Sequence, residues 1–372
     1  MSDNITRLAG LVGVRALNYG TMTVKMSIGF DGIIFGLQKV GGVSTYSWEI
    51  IRRLSNQTAH SFELELPKGI DSDRAAELES LDIDFHRYGN AMGLARYSAC
   101  KLESLVVHSS YYRTPISRKS KSVTTVHDFV YERYRTGMAK SVHGFQKRAA
   151  CRRADAILCV SENTRTDLLN TYSEVDPDNA FVIPLAVDHE QFHASENVQS
   201  DLQHTVVFIG QRSGYKRFDL AVNAVAAVSE LNIGIVGSSL TEAEIQLLES
   251  NLKERWKELG HVTNDELREI YSSAFALIYP SDYEGFGLPL LEAQACGCPV
   301  VAANLSSLPE VGGSAANYAK HQSVEAYSYE LEQLLESSNR IDTIYKGLTN
   351  AKRFHWDKTF DETMTVYEKL LQ

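Results

Sequence analysis

Short apolar runs, each closed by glycine or polar residues and most followed by an amphipathic pattern, recur along this chain and limit its fold more than any other feature. "MSIGFDG" (Met26–Gly32), "SLVVHSS", "SVTTVHDF" and the start of "ADAILCVSENTRTDLL" supply them in the first half. "HTVVFIGQ", "NIGIVGS", "FALIYPS" and "PVVAA" supply them in the second. Between these lie helical patterns such as "FDLAVNAVAAV", "TEAEIQLLESNLKERW" and "VTNDELREIYSSA". Strands apolar on both faces belong in parallel sheets covered by helices on each side. The polar stretch "HEQFHASENVQSDLQ" divides two such series. The expectation is therefore an α/β chain of two Rossmann-like domains facing across a cleft, and 372 residues suit two domains. Functional loops should lie at the carboxyl ends of the strands. Expected bounds are a disordered leader over 1–25, a first domain over 26–188, a second over 189–352 and a terminal segment over 353–372.

Composition excludes several classes. A net charge of -10 argues against nucleic acid as a partner. None of the five cysteines forms a C-x-x-C pair, so small buried residues in a reducing compartment are expected rather than a zinc site. No apolar run reaches the roughly 18 residues of a membrane span. The leader lacks a secretory core, and a cytoplasmic protein is expected. Two basic stretches stand out in the acidic chain: Arg113, Arg118, Lys119 and Lys121, then Lys147, Arg148, Arg152 and Arg153. They read either as a solvated face or as peripheral contact with an anionic membrane, on the inner face of the cell membrane.

The stretch "SDYEGFGLPLLEAQACGCPVVA" (Ser281–Ala302) carries the most chemistry. A strand delivers the chain to it, Pro289 suits the first turn of a helix, and Gly297 ends that helix. The amides of Phe286, Gly287 and Leu288 then point out of a helix N-terminus, where an anion binds well. Gly285 and Gly287 let backbone approach a ligand closely. Glu284 before the helix faces a sugar ring in this reading, and Glu292 one turn in accepts from a ribose diol. The alternative is an acid serving the helix dipole and a surface Glu. Arg212 and Lys216 follow a buried strand and would neutralise a leaving diphosphate, or form a solvated basic turn. His127 also ends a buried strand. Gly41-Gly42 open a helical pattern.

"EGFGLPLLE" resembles the E-x7-E motif of the retaining glycosyltransferases of family 4, which have the GT-B fold. "FIGQRSGYKRFDLAVNA", "VTTVHDF", "ADAILCVSENTRTDLL" and "KVGGVSTY" resemble further segments of that family, over about Met26 to Gln372. The resemblance implies donor diphosphate contacts at Arg212 and Lys216, and His127 near the transferred sugar. It implies Ser161 and Arg165 on a first-domain loop, and Gly42 near phosphate and acceptor. The terminal segment becomes a helix crossing back to the first domain, which binds acceptor while the second binds the sugar nucleotide. Activity follows as retaining hexosyl transfer, mannosyl from GDP-mannose first, to a saccharide or lipid-linked acceptor in cell-surface polysaccharide (O-antigen or capsule) synthesis. A sugar-nucleotide 2-epimerase of the same architecture and a non-catalytic sugar-nucleotide-binding subunit are the rivals. Asp71–Asp73, Asp82–Asp84 and Asp176–Asp178 have the D-x-D spacing of metal-dependent sugar-nucleotide enzymes. All lie in the first half, away from the diphosphate candidates, and read as solvated loops. No metal and no other cofactor is expected.

Overall fold

The computed structural model describes residues 25–38, 41–81, 83–88, 96–197, 199–212 and 214–372. The expected leader, apart from Lys25, and Asp82 lie outside them. Among the described residues, a first sheet comprises β1 (Ser27–Asp31), β2 (Ser61–Pro67), β3 (Asp84–Tyr88), β4 (Val106–Ser109), β5 (Lys121–Val126), β6 (Ala156–Cys159) and β7 (Ala180–Val182). A second comprises β8 (Thr205–Ile209), β9 (Asn232–Val236), β10 (Trp256–Gly260), β11 (Ala276–Tyr279), β12 (Val300–Ala303) and β13 (Asn317–Ala319). The orders are β3-β2-β1-β4-β5-β6-β7 and β10-β9-β8-β11-β12-β13. The pairings are parallel. Strand order reverses between β1 and β4 in one sheet and between β8 and β11 in the other. These are the switch points where such sheets bind ligands.

Alternate residues of the second sheet feed different cores, which explains its continuous apolar runs. Val206, Phe208, Ile233, Ile235 and Ile278 pack in one cluster. Val207, Val236, Leu277 and Tyr279 pack in another. One expected element differs. The helix read over "TEAEIQLLESNLKERW" ends at Leu252, Lys253 turns the chain at φ 56, and Trp256–Gly260 pair as edge strand β10. Lys257 and Glu258 of β10 are exposed, so an edge strand shows no apolar run. The helices Glu242–Leu252 and Asn264–Ser273 both begin with capping boxes, Thr241 with Glu244 and Thr263 with Glu266.

The last helix, Trp356–Leu370, leaves the second half and packs on the first. Thr359 donates to the Pro184 carbonyl at 2.8 Å, and Arg53 donates to Asp357 at 2.8 Å. Tyr367 bonds the buried His108, whose other nitrogen bonds Thr125 at 2.8 Å. Burial, and then neighbouring His127, push His108 down to about 3.

A second junction joins the halves through residues 283–285. The Tyr283 hydroxyl accepts from the Phe129 amide at 3.0 Å and donates to Asp167 at 2.8 Å. The Gly285 carbonyl accepts from the hydroxyls of Ser161 at 2.7 Å and Thr164 at 3.0 Å. Glu310 accepts from the amides of Glu162 and Asn163, at the start of the first-half helix Glu162–Thr171. A side chain at Gly285 has no room, because its Cβ would stand 1.7 Å from the His127 carbonyl oxygen. Backbone cannot move aside as a flexible side-chain tip can, so Gly285→Ala must separate the halves at this seam. We expect a lower melting temperature and a larger radius of gyration by small-angle scattering, with near-native far-ultraviolet dichroism. An unchanged melt and radius would show that the seam is not a fixed contact.

Candidate functional site

The carboxyl ends of strands from both sheets converge on a cleft of about 260 Å³. Gln38, Gly42 and Val43 reach it after β1, His127 and Asp128 after β5, and Val160 after β6. Lys216 reaches it after β8, and Tyr279 with Glu284–Pro289 at the end of β11. Gly42, His127, Lys216, Glu284, Gly285, Phe286, Gly287 and Leu288, chosen from the sequence, therefore meet in one place.

Two helices start at this cleft. One is Gly42–Ser55, with Gly41 as N-cap. The other is Leu288–Ala295, capped by Gly287 in the left-handed region at φ 112 with Pro289 in its first turn. The two starts abut, since a Cβ on Gly42 would stand 3.2 Å from Leu288 Cδ1. First-turn amides have no carbonyl in their own helix, and each N-terminus carries partial positive charge. The loop before Leu288 is braced from behind. Ser306 accepts from the Glu284 amide at 2.9 Å, and Ser307 donates to the Glu284 and Phe286 carbonyls at 2.9 and 2.8 Å.

Lys216 lies in the same cleft and donates to Glu284 and, at 3.2 Å, to the Tyr279 hydroxyl. Burial works against its charge, but the Glu284 carboxylate, with Tyr279 and Tyr215, outweighs that and raises its pKa. Lys216 is therefore cationic across the working pH range. His127 is different. Burial, then the Lys147 ammonium, push it down to about 3, so its imidazole is neutral. Its Nε2 is buried without a protein partner among the described residues, and its ring lies edge-on to Tyr46 at 5.2 Å. Glu292 shares a helix face with Leu288 one turn further along. Tyr271 donates to it at 3.4 Å, and burial raises it to about 7 against that hydrogen bond.

Four expected residues do not line the cleft: Glu292, bonded to Tyr271, and three that are engaged elsewhere. Arg212 donates through Nε to Glu244 at 2.8 Å and through Nη2 to the Ser238 and Ser239 carbonyls at 2.8 and 2.9 Å. Its Nη1 is buried and unpartnered among the described residues, and it does not line the cleft with Lys216. Ser161 caps its helix by accepting from the Thr164 amide at 3.0 Å and pins Gly285. Arg165 donates to the Ala180 and Pro177 carbonyls at 3.0 and 3.1 Å, away from the cleft. Sequence reasoning did not select Gln38, Asp128 or Tyr279 as site residues. Tyr279 ends the run "FALIYPS", and a polar atom at that carboxyl end was the available signal.

Of the acidic pairs, Asp176 accepts from the Asp178 amide at 3.0 Å, and Asp84 lies on β3. Among the described residues no group of three or more His, Cys, Asp or Glu converges to hold a metal ion. All five cysteines are free and buried. No described helix is long and apolar enough to cross a membrane.

The comparisons agree with this geometry. The family model "Glycosyltransferase Family 4" matches residues 40–191, and "Glycosyl transferases group 1" matches residues 189–349. O-antigen chain mannosyltransferase B of Escherichia coli is 28% identical over 88% of this chain and 96% of its own length. Alpha-maltose-1-phosphate synthase of Mycolicibacterium smegmatis is 26% identical over 63% of this chain and 68% of its own. Among solved structures, sucrose-phosphate synthase from Thermosynechococcus elongatus superposes with a TM-score of 0.73 at 17% identity, covering 93% of this chain and 99% of that one. Anabaena HepE, solved with UDP and glucose, gives 0.70 at 16% identity, covering 92% and 100%. The two sheets thus form the GT-B architecture. The chain belongs to glycosyltransferase family 4 and is a retaining glycosyltransferase that uses a nucleotide sugar.

Proposed function

We propose that this chain transfers a mannosyl group from GDP-mannose to a saccharide or lipid-linked acceptor during assembly of a cell-surface polysaccharide. One observation carries the general chemistry: two abutting helix N-termini and a charged lysine share one cleft. That arrangement suits a diphosphate whose negative charge grows as the sugar leaves. The choice of mannose is supported by similarity to the Escherichia coli O-antigen mannosyltransferase over nearly the whole chain.

In this reading the Leu288 and Gly42 helix starts and Lys216 hold the diphosphate. Glu284 keeps Lys216 charged and in place, and faces the sugar. The neutral His127, with its free Nε2, exchanges a hydrogen bond with a sugar hydroxyl and contributes no charge. The acceptor attacks from the face the diphosphate leaves, and a phosphate oxygen takes the acceptor proton. Arg212, braced by Glu244, supports the outer end of the nucleotide. Glu292 accepts from the ribose diol. No metal is required, and the protein works in the cytoplasm.

A panel of sugar nucleotides tests the donor, and GDP-mannose should give the highest kcat/KM, with a glycoside as product. Release of an epimerised nucleotide, or binding without turnover, would replace this reading. Turnover should persist in excess chelator, and its loss there with recovery on Mg²⁺ or Mn²⁺ would end the metal-free assignment.

Lys216→Met should lower kcat by about 10²–10³, the usual cost of one preorganised donor. It also strands Glu284 in a partly buried place, as Glu284→Gln strands Lys216. The double variant should therefore melt above both single variants, because a removed pair costs less than a broken one. Wild-type kcat in Lys216→Met with a normal melt would place the leaving group elsewhere.

Glu292 predicts a pH effect. With its pKa near 7, the carboxylate becomes charged as pH rises from 6 to 8. Hydrogen bonds to a charged acceptor are stronger, so nucleotide affinity should rise over that window. The phosphates titrate nearby, so the readout is the difference from Glu292→Gln. That variant should bind about tenfold more weakly at pH 8 and little differently at pH 6. Parallel pH profiles for the two proteins would remove Glu292 from the site.

A further inference from the structure

Helix Gly137–Arg153 has two unlike long faces. Its inner face is fixed by polar and small residues. His143 stacks on Tyr131 with ring centroids 4.0 Å apart, and Lys147 donates to the Asp128 carbonyl and pairs with Glu132. Ala150 and Cys151 are buried. Its outer face carries Met138, Val142 and Phe145 at i, i+4 and i+7, a single stripe. Met138 is 81% exposed and Phe145 77%, values that rule out a core role. Arg152 lies two heptads beyond Met138 on that stripe and is exposed.

The helix itself carries charge of one sign, while Glu174 faces Arg148 and Asp155 lines the groove that holds Arg118 and Arg153. Residues 137–153 hold Lys140, Lys147, Arg148, Arg152 and Arg153 and no Asp or Glu, in a chain of net charge -10. Lys147 is buried, and Arg148 pairs with Glu174. Lys140, Arg152 and Arg153 make no ion pair among the described residues, and neither do Arg118 and Lys119. The loop bearing the last two adjoins the helix, because Arg153 donates to the Pro115 carbonyl at 3.4 Å, and it exposes Ile116 by 62%. Arg113, from the same stretch, is excluded: it is buried against Asp31 at 2.7 Å and Glu65 at 3.4 Å.

We propose that this face, Met138, Val142, Phe145 and Ile116 with Arg118, Lys119 and Arg152, docks on an anionic lipid surface. Large apolar side chains ringed by cations fit the boundary between acyl chains and acidic headgroups. The placement also serves the proposed reaction, a link that rests on that proposed function. The segment from Asp128, which lines the cleft, runs through Tyr134 directly into the helix. Tyr134 stacks on Tyr215 of the second half at 4.9 Å. A docked helix would therefore hold the cleft beside the lipid, where a lipid-linked acceptor lies.

The test is co-sedimentation of the full chain with vesicles of phosphatidylcholine alone or with added phosphatidylglycerol. Pelleting should require phosphatidylglycerol and fall at high salt. Met138→Glu/Phe145→Glu and Arg118→Ala/Lys119→Ala should each lower partitioning by about tenfold or more. Both should keep the wild-type melt and the wild-type rate on a soluble acceptor, since none of these residues lines the cleft. Equal pelleting with neutral vesicles, or unchanged partitioning of the glutamate variant, would overturn the proposal. So would a concentration-dependent dimer, abolished by that variant, in a protein that ignores every vesicle, because the stripe would then be a contact between copies. Vesicle binding is read without turnover, so an absent mannosyltransferase activity would leave this result standing or falling by itself.

Discussion

The halves of this protein are held in register by a contact that leaves no room for a side chain. Gly285 of the second half lies against the His127 carbonyl of the first, and its own carbonyl is taken by Ser161 and Thr164. Tyr283, two residues earlier, is threaded between Phe129 and Asp167. Everything that lines the cleft hangs from this seam. His127 and Asp128 sit on one side of it, Glu284 and the Leu288 helix start on the other, and Gly42 abuts Leu288 across it. The glycine is thus structural and chemical at once: it lets backbone meet backbone, and it brings two helix dipoles to one point.

Much of this was legible in the residues. Buried parallel strands are apolar on both faces, so they stand out, and the switch points then locate the cleft. The motif around Glu284 and Leu288 announced a helix start through Gly287 and Pro289. What escaped was decided by partners distant in sequence. Edge strand β10 has one side in solvent and shows no apolar run. Ser161 and Arg165 are expected at the site from the family resemblance alone. Their hydrogen bonds run instead to Gly285, Pro177 and Ala180, and no local pattern encodes those. Arg113 and Lys147 count as basic surface in composition, yet each is buried beside carboxylates. Conversely, nothing in the sequence alone marks Met138 and Phe145, which only their exposure singles out.

The tyrosines and acids around the cleft give its charges opposite fates. Among the described residues no carboxylate hydrogen-bonds the buried imidazoles of His127 and His108, and desolvation leaves both neutral. Lys216 is nearly as enclosed but touches Glu284, and it keeps its proton. Burial alone therefore does not decide protonation here. A single carboxylate at contact distance reverses its effect, so the described cleft lining holds a dependable cation, Lys216, and a neutral imidazole, His127.

If the cleft takes an anion as proposed, this explains why acids flank it. A lysine facing only helix N-termini would lie in a field that repels it, and burial would add to the tendency to lose its proton. Glu284 removes that instability, at the cost of part of the lysine's pull on a ligand. On the proposed reading, a diphosphate entering the cleft would bring its own negative charge to Lys216, and the lysine could turn from the carboxylate to the phosphate without becoming unpaired. On that reading Glu284 would be released as a sugar arrives beside it, with hydroxyls to offer. Glu292 has no such cation, only Tyr271, and its carboxyl is raised to about 7. The two acids of one motif thus do different work: the first sets the charge of the lysine, and the second is left poised to gain or lose a proton near neutrality.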